Sequence, residues 1–223
     1  MSIQEIYDRD YFERGIETKK SNYRDYSWER LGKYFQATAK HIAKCFNPQI
    51  ALDVGAAKGF LVYALGELGV EAYGIDVSEY AVANAKGRVE IGTAQDINSP
   101  NPVFDVVTAF DILEHIHEAE VPQVCAELLR VAKKYVVVRV PTKEEKGDLD
   151  AYHETIKPKE WWEEQFAAQG GKVISCEPFV DRGVWWFNVP EYLIVIEKQE
   201  KPEAEKPKKK QTKKKSKKTA KEL

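Results

Sequence analysis

Cysteine is scarce in this chain of 223 residues: Cys45, Cys125 and Cys176 are odd in number, scattered, and never spaced as Cys-x-x-Cys. That argues against a disulfide framework or a cysteine zinc site and predicts three small core residues. Long apolar runs are lacking too. None approaches the roughly 18 residues of a membrane span, and the opening Met-Ser-Ile-Gln-Glu lacks the basic and then apolar layout of a secretory signal, so a cytoplasmic protein is expected. The chain also lacks the length for two ordinary domains. Hydrophobic residues at 43% and aromatics at 11% are enough for one well-filled core.

Net charge is nearly absent as well, at -2, but the average hides a division. Lys201 to Leu223 holds eleven lysines against Glu203, Glu205 and Glu222, or +8, which leaves -10 on the first 200 residues. The tail contains no aromatic or β-branched apolar residue. It cannot offset its ordering entropy by burial, so residues 199–223 are expected to be a disordered Lys-rich extension. A solubilising extension is the preferred reading of it; the alternative is that its lysine blocks contact nucleic acid weakly through phosphates, which the acidic body would repel.

From the start to about residue 47 the pattern is helical, with Trp28, Leu31, Phe35, Ile42 and Phe46 on one face and a shorter stripe at Tyr7, Tyr11 and Phe12. This N-terminal helical cap precedes a core over residues 48–198. There, Gln49 to Val54 reads as a strand ending at Gly55, followed by a helix from Lys58 to Leu68. Glu71 to Ile75 leads to a helix opened by Ser78, and Phe104 to Ala109 to a helical segment ending near Ala132. Tyr135 to Val140 is another buried strand. Such alternation predicts an α/β fold, a doubly wound, mainly parallel sheet with helices on both faces. Pro158 is placed to open a last helix carrying Trp161, Trp162 and Phe166. Lys172 to Cys176 and Tyr192 to Ile196 then form an antiparallel edge hairpin.

In such a sheet, ligands sit beyond the carboxyl ends of the strands. The first turn there reads Asp53-Val-Gly55-Ala-Ala57-Lys-Gly59-Phe60, and Asp76 ends the second strand 21 residues after Gly55. That spacing brings a carboxylate to ribose hydroxyls and implies a nucleoside-containing ligand. A dinucleotide fingerprint would need glycine where Ala57 and Phe60 stand. Asp53 would also oppose a pyrophosphate, whereas a ligand carrying an ammonium and a sulfonium tolerates an acidic rim. S-adenosylmethionine is the better match.

With these motifs the chain resembles the class I S-adenosylmethionine-dependent methyltransferases, whose first motif is Asp/Glu-x-Gly-x-Gly-x-Gly. Asp53, Gly55 and Gly59 fit, and Ala57 replaces the middle glycine. The resemblance runs on through Gly74-Ile-Asp76-Val77-Ser, Gly92-Thr-Ala-Gln-Asp96-Ile97 and Phe104 to His115, covering roughly residues 28 to 197. It implies a Rossmann-like, seven-stranded sheet and a cofactor site of Asp53, Gly55, Ala57, Gly59, Asp76, Val77, Asp96, Ile97 and Phe110. In that site Asp76 would hold the ribose, with Asp96 and Ile97 flanking the adenine.

A second group follows the strand at Phe104. Asp111, Glu114 and His115 stand at i, i+3 and i+4, which would share one helical face, and His153 lies in a loop expected to open over the same edge. An oxygen or nitrogen nucleophile must lose its proton during methyl transfer, and His115 is the preferred base or orienting group. The Glu-His pair is similar to that of the ubiquinone-biosynthesis O-methyltransferases, among the type 11, 12 and 23 methyltransferase domains, and of small-RNA 2'-O-methyltransferases. That resemblance implies a divalent metal, but His115 acting alone is preferred over a metal site. Trp161, Trp162, Trp185 and Trp186 would either clasp a flat acceptor or fill the core. Tyr7, Tyr11 and Phe12 would form a lid or pack on the sheet. The expectation is therefore a methyltransferase acting on the oxygen of a small molecule or saccharide. The alternatives are a metal-dependent RNA methyltransferase and a cofactor-binding partner subunit without catalysis.

Overall fold

The computed structural model describes residues 2–141, 150, 152–179 and 191–199. Among them lies one seven-stranded sheet, β1 (Ile50–Val54), β2 (Glu71–Asp76), β3 (Val89–Ile91), β4 (Phe104–Phe110), β5 (Ala132–Pro141), β6 (Gly171–Phe179) and β7 (Glu191–Lys198). Their order is β3-β2-β1-β4-β5-β7-β6, with the first five strands parallel and β7 antiparallel to both neighbours. The α/β doubly wound reading and the antiparallel edge pair stand. Three-residue β3 has no apolar run to announce it. It forms because Val89 pairs in register with Gly74 of β2, where the chain passes close over the sheet edge.

Both faces of β1 and β4 are covered, so those strands read as nearly unbroken apolar runs. On one face α4 (Trp28–Phe46) and α5 (Phe60–Gly66) bury Ala39, Ile42, Leu61 and Leu65 against Val106 and Val137. On the other, α7 (Val121–Val131) and α8 (Lys159–Ala168) bury Val124, Leu128, Trp162 and Phe166 against Val136 and Val138. Trp162 is thus core, with Trp161 packed on it, while Trp185, Trp186 and the Lys-rich tail lie outside the described residues. Cys125 is buried as expected, whereas Cys45 is exposed on α4. No helix among the described residues is long and apolar enough to cross a membrane.

The 19-residue α4 is held by Leu31, Ala39 and Ile42 on its buried face and ends at Asn47, whose left-handed conformation lets its N–H reach Ala43 O. Before it, α1 (Ile3–Ile6), α2 (Arg9–Glu13) and α3 (Gly15–Thr18) are single turns that could not persist alone. Ser2 and Asp8 cap the first two. A third apolar cluster of Tyr11, Phe12, Tyr26, Leu31, Phe60 and Ala81 fastens this N-terminal segment over the carboxyl ends of β1 and β2.

Candidate functional site

The strand order reverses between β1 and β4, and the two loops leaving these strands meet there. Gly55 takes φ +73° at this point, and a Cβ on it would lie 1.9 Å from Ile112 Cγ2. Only glycine satisfies both conditions. Gly59 also has positive φ, at the start of α5, where a Cβ would strike Val89 and Gly87. Beyond this turn opens a cavity of about 630 Å³, within the range of about 300–1,000 Å³ usual for small-molecule sites.

Two carboxylates mark its floor. Asp53 accepts a hydrogen bond from Thr108 Oγ1 at 2.6 Å, and the two residues are register partners on β1 and β4. Burial pushes the Asp53 carboxyl up to about 7, against the Thr108 hydrogen bond and helped by the nearby Asp76 charge. Asp76 accepts from the Ala57 amide at 2.7 Å and the Ser78 amide at 2.8 Å, yet burial still raises its pKa above the usual carboxylate range. A carboxylate has about four lone-pair sites, more than these donors occupy, which leaves acceptor capacity for a ligand hydroxyl.

Gly55, Ala57, Val77, Phe110, Asp111 and His115 line the same cavity. Asp96 and Ile97 do not. Asp96 is exposed and Ile97 is buried in the core, so Thr93, Ala94 and Gln95 line the cavity where those two were expected. The turn carrying Gly92 to Asp96 points its middle, not its end, into the space.

The expected helical face of Asp111, Glu114 and His115 is not formed. Asp111 takes φ +55°, and only two short tight turns, Leu113–His115 and Glu118–Glu120, follow before α7 starts with Pro122 in its first turn. Asp111 therefore leaves the group, while Glu114 and His115 stay near each other. Asp111 forms a two-point ion pair with Arg139, with Nε to Oδ1 at 2.7 Å, and Glu114 is buried at 2% exposure, outside the cavity lining. His115 lies at the cavity, its Nδ1 3.1 Å from Tyr152 O. His153 does join it, with ring centroids 4.8 Å apart. Glu114, His115 and His153 offer ligand atoms all within 4.8 Å of one another, wider than the roughly 3.4 Å between ligands of a tetrahedral ion bound at about 2.1 Å, so the three would have to draw together to hold one.

Two residues of the site escaped the sequence reading: Arg139, which lines the cavity, and Thr108, which is buried behind Asp53. Both are polar positions inside buried strands, which was the available signal. Arg139 stands under the rings of Tyr34 and Phe110, at 5.5 and 5.4 Å from their centroids. Tyr7, Tyr11 and Phe12 line the cavity and pack on one another's rings.

Residues 52–138 match the family described as Methyltransferase domain. This segment is thus similar in sequence to methyltransferase domains. A ubiquinone biosynthesis O-methyltransferase of Thiobacillus denitrificans is 36% identical over 90 residues, which cover 35% of this chain and 39% of that protein. The match thus spans about two fifths of that relative's length. Magnesium protoporphyrin IX methyltransferase from Synechocystis PCC 6803, solved with bound S-adenosylmethionine, superposes with a TM-score of 0.63 at 14% identity, covering 89% of this chain and 98% of that one. The [4+2]-cyclase SpnF superposes with 0.60 at 17% identity, covering 73% and 81%. The domain's fold therefore serves more than one chemistry.

Proposed function

We propose that this chain binds S-adenosylmethionine in the cavity at the β1–β4 reversal and methylates the oxygen of a small molecule or saccharide. The observation that carries the reading is the pair of buried carboxylates, Asp53 and Asp76, on one cavity floor. They suit a ligand with ribose hydroxyls and positive charge and oppose one carrying a pyrophosphate. Asp76 receives the ribose, and Gly55 and Ala57 bring the backbone close beside it. Thr93 to Gln95 border the adenine, and Asp53 faces the cationic amino-acid end. When bound, the cofactor supplies a methyl group on a sulfonium. His115 takes the proton of the acceptor hydroxyl, and the aromatic cap excludes water. The O-methyl assignment is supported by the name of the Thiobacillus relative.

Calorimetric titration with S-adenosylhomocysteine tests the cofactor. Asp76→Ala removes a charged acceptor whose hydrogen bonds contribute roughly 1.5–3 kcal/mol each, so affinity should fall at least about tenfold. Equal binding by the variant, or preference of the wild type for a nicotinamide dinucleotide, sinks the assignment. Radiolabelled methyl transfer to a panel of phenols and saccharides tests the reaction, and binding without transfer to any of them favours the non-catalytic subunit.

The cluster of Glu114, His115 and His153 favours one variant of this reading, a divalent ion held by these three side chains. It would lower the pKa of the acceptor hydroxyl. Turnover that survives a chelator and His153→Ala but is lost in His115→Ala leaves His115 as a metal-free base, the outcome we expect.

A further inference from the structure

After β5, Asp150 and residues 152–155 lie beside the site, and Glu154 lines the cavity. The chain is fastened there to the turn that follows β4: the Glu154 and Thr155 amides donate to Glu114 O at 2.8 and 2.9 Å, and Thr155 Oγ1 donates to Ile116 O at 2.7 Å. Tyr152 is used twice in this junction. Its carbonyl meets His115 Nδ1 at 3.1 Å, and its amide donates to Asp150 Oδ1 at 3.1 Å. A carbonyl can only accept, so this bond puts the proton of neutral His115 on Nδ1 and makes Nε2 the nitrogen able to take another.

The second oxygen of Asp150 faces the cap. Oδ2 accepts from the Tyr11 hydroxyl at 2.7 Å and lies 4.0 Å from His153 Nε2, and the Asp150 side chain is only 6% exposed. Tyr11 belongs to α2, the middle turn of the N-terminal segment that closes the cavity. Burial, with Asp150 beside it, holds the Tyr11 hydroxyl far above the usual phenol range, so it remains a donor. One carboxylate thus ties the cap to the Tyr152 peptide, with the His153 ring beside it.

We propose that Asp150 is a positioning residue: by accepting from Tyr11 and from the Tyr152 amide, it holds the Tyr152 carbonyl against His115 and lets the seated cap select the tautomer of the base. The inference rests on the reading of His115 as the base. An imidazole without a fixed partner populates both neutral tautomers, and the one protonated on Nε2 has no lone pair there for the acceptor's proton. Closing the cap over its ligands would then be the event that readies the histidine. Tyr11 and Asp150 need no contact with the reacting atoms to do this.

The test uses the full chain with ¹⁵N-labelled histidine and saturating S-adenosylhomocysteine, at about pH 8.5 where an ordinary imidazole is neutral. Long-range ¹H–¹⁵N spectra report the tautomer, and His115 is assigned from its loss in His115→Gln. The wild type should hold His115 predominantly as the Nδ1–H form. Asp150→Asn and Tyr11→Phe should each lower the ratio of Nδ1–H to Nε2–H at least about threefold, and in Asp150→Asn, which does not line the cavity, the dissociation constant for S-adenosylhomocysteine should change less than about threefold. An unchanged ratio in both variants overturns the inference, as does a wild type that holds the Nε2–H form. If Asp150→Asn fails to fold, Tyr11→Phe, which removes one oxygen atom, decides alone. Failure of the wild type to bind S-adenosylhomocysteine overturns the methyltransferase reading instead, and the tautomer ratio is still read in the free protein.

Discussion

Asp53 shows how a single buried group can oppose stability and serve binding. Its native carboxyl titrates at about 7, well above the roughly 3.9 of an unfolded chain, so the native state holds a proton that the unfolded state has lost. The contribution of Asp53 to stability is therefore fully present below about pH 4 and is lost as pH rises through 7, with a slope of at most about 1.4 kcal/mol per pH unit. Asp53→Asn keeps an acceptor for Thr108 but removes the titration. Melting temperatures of the two proteins between pH 5 and 8 should diverge, the variant gaining on the wild type as pH rises, and parallel curves would refute the burial argument. Ala57 is a second test at this scale. It sits at φ +48°, a conformation costing a β-carbon-bearing residue about 1–2 kcal/mol, while glycine loses about 0.5–1 kcal/mol of extra chain entropy. Ala57→Gly should thus leave stability unchanged or raise it by up to about 1.5 kcal/mol and leave S-adenosylhomocysteine affinity within about threefold, measured by thermal melting and calorimetry. At this scale the sequence was legible where a residue type has few uses, as at Gly55 and Asp76. It misled where geometry depended on a turn: nothing in Asp111-Ile-Leu-Glu-His115 announces that Asp111 turns left-handed toward Arg139, a strand residue 28 positions later.

The elements that close the site are its shortest. The cap touches the loop after β2 directly: Gln4 Nε2 donates to Val77 O at 2.8 Å, Gln4 Oε1 accepts from the Glu79 amide at 2.9 Å, and Ser78 Oγ donates to Tyr7 O. On its other side Glu13 accepts from Tyr80 and pairs with Lys58 of the glycine turn, and hydrogen bonds from Tyr80 and Arg9 hold its carboxyl down at about 2. Helical turns of four or five residues have no stability of their own, so these contacts and the aromatic cluster decide whether the cap is seated. A ligand filling the cavity beneath should therefore slow amide exchange in residues 3–18 at least about fivefold, while α7 and α8, on the far face, change little. Equal protection of all helices, or none in the cap, would show that the cap is not part of the site. Periodicity made α4 and the central strands readable, since each presents a long apolar face. The cap's short turns and β3 carry too few residues for a period, and their positions come from tertiary contacts to the loop after β2.

For the whole molecule, the division of charge is the remaining physical fact. The first 200 residues carry -10 and the last 23 carry +8, so no averaged property describes how the chain meets another polyion. The α/β class was legible from alternation because every βαβ crossover repeats the same apolar rhythm, and the partner was not, because charge without a packed surface specifies only a sign. That sign still makes a prediction. If the lysines act as a loose phosphate anchor, full-length protein should bind a generic RNA at low salt, with affinity falling steeply as salt rises through counterion release. Removing Lys201 to Leu223 should abolish that binding, because the remaining -10 repels phosphate, and should leave melting temperature and S-adenosylhomocysteine affinity nearly unchanged. Filter binding at two salt concentrations reads the first effect, and melting and calorimetry read the second. RNA binding that survives the truncation with little salt dependence would place the contact in the body and favour the RNA methyltransferase reading over the small-molecule one.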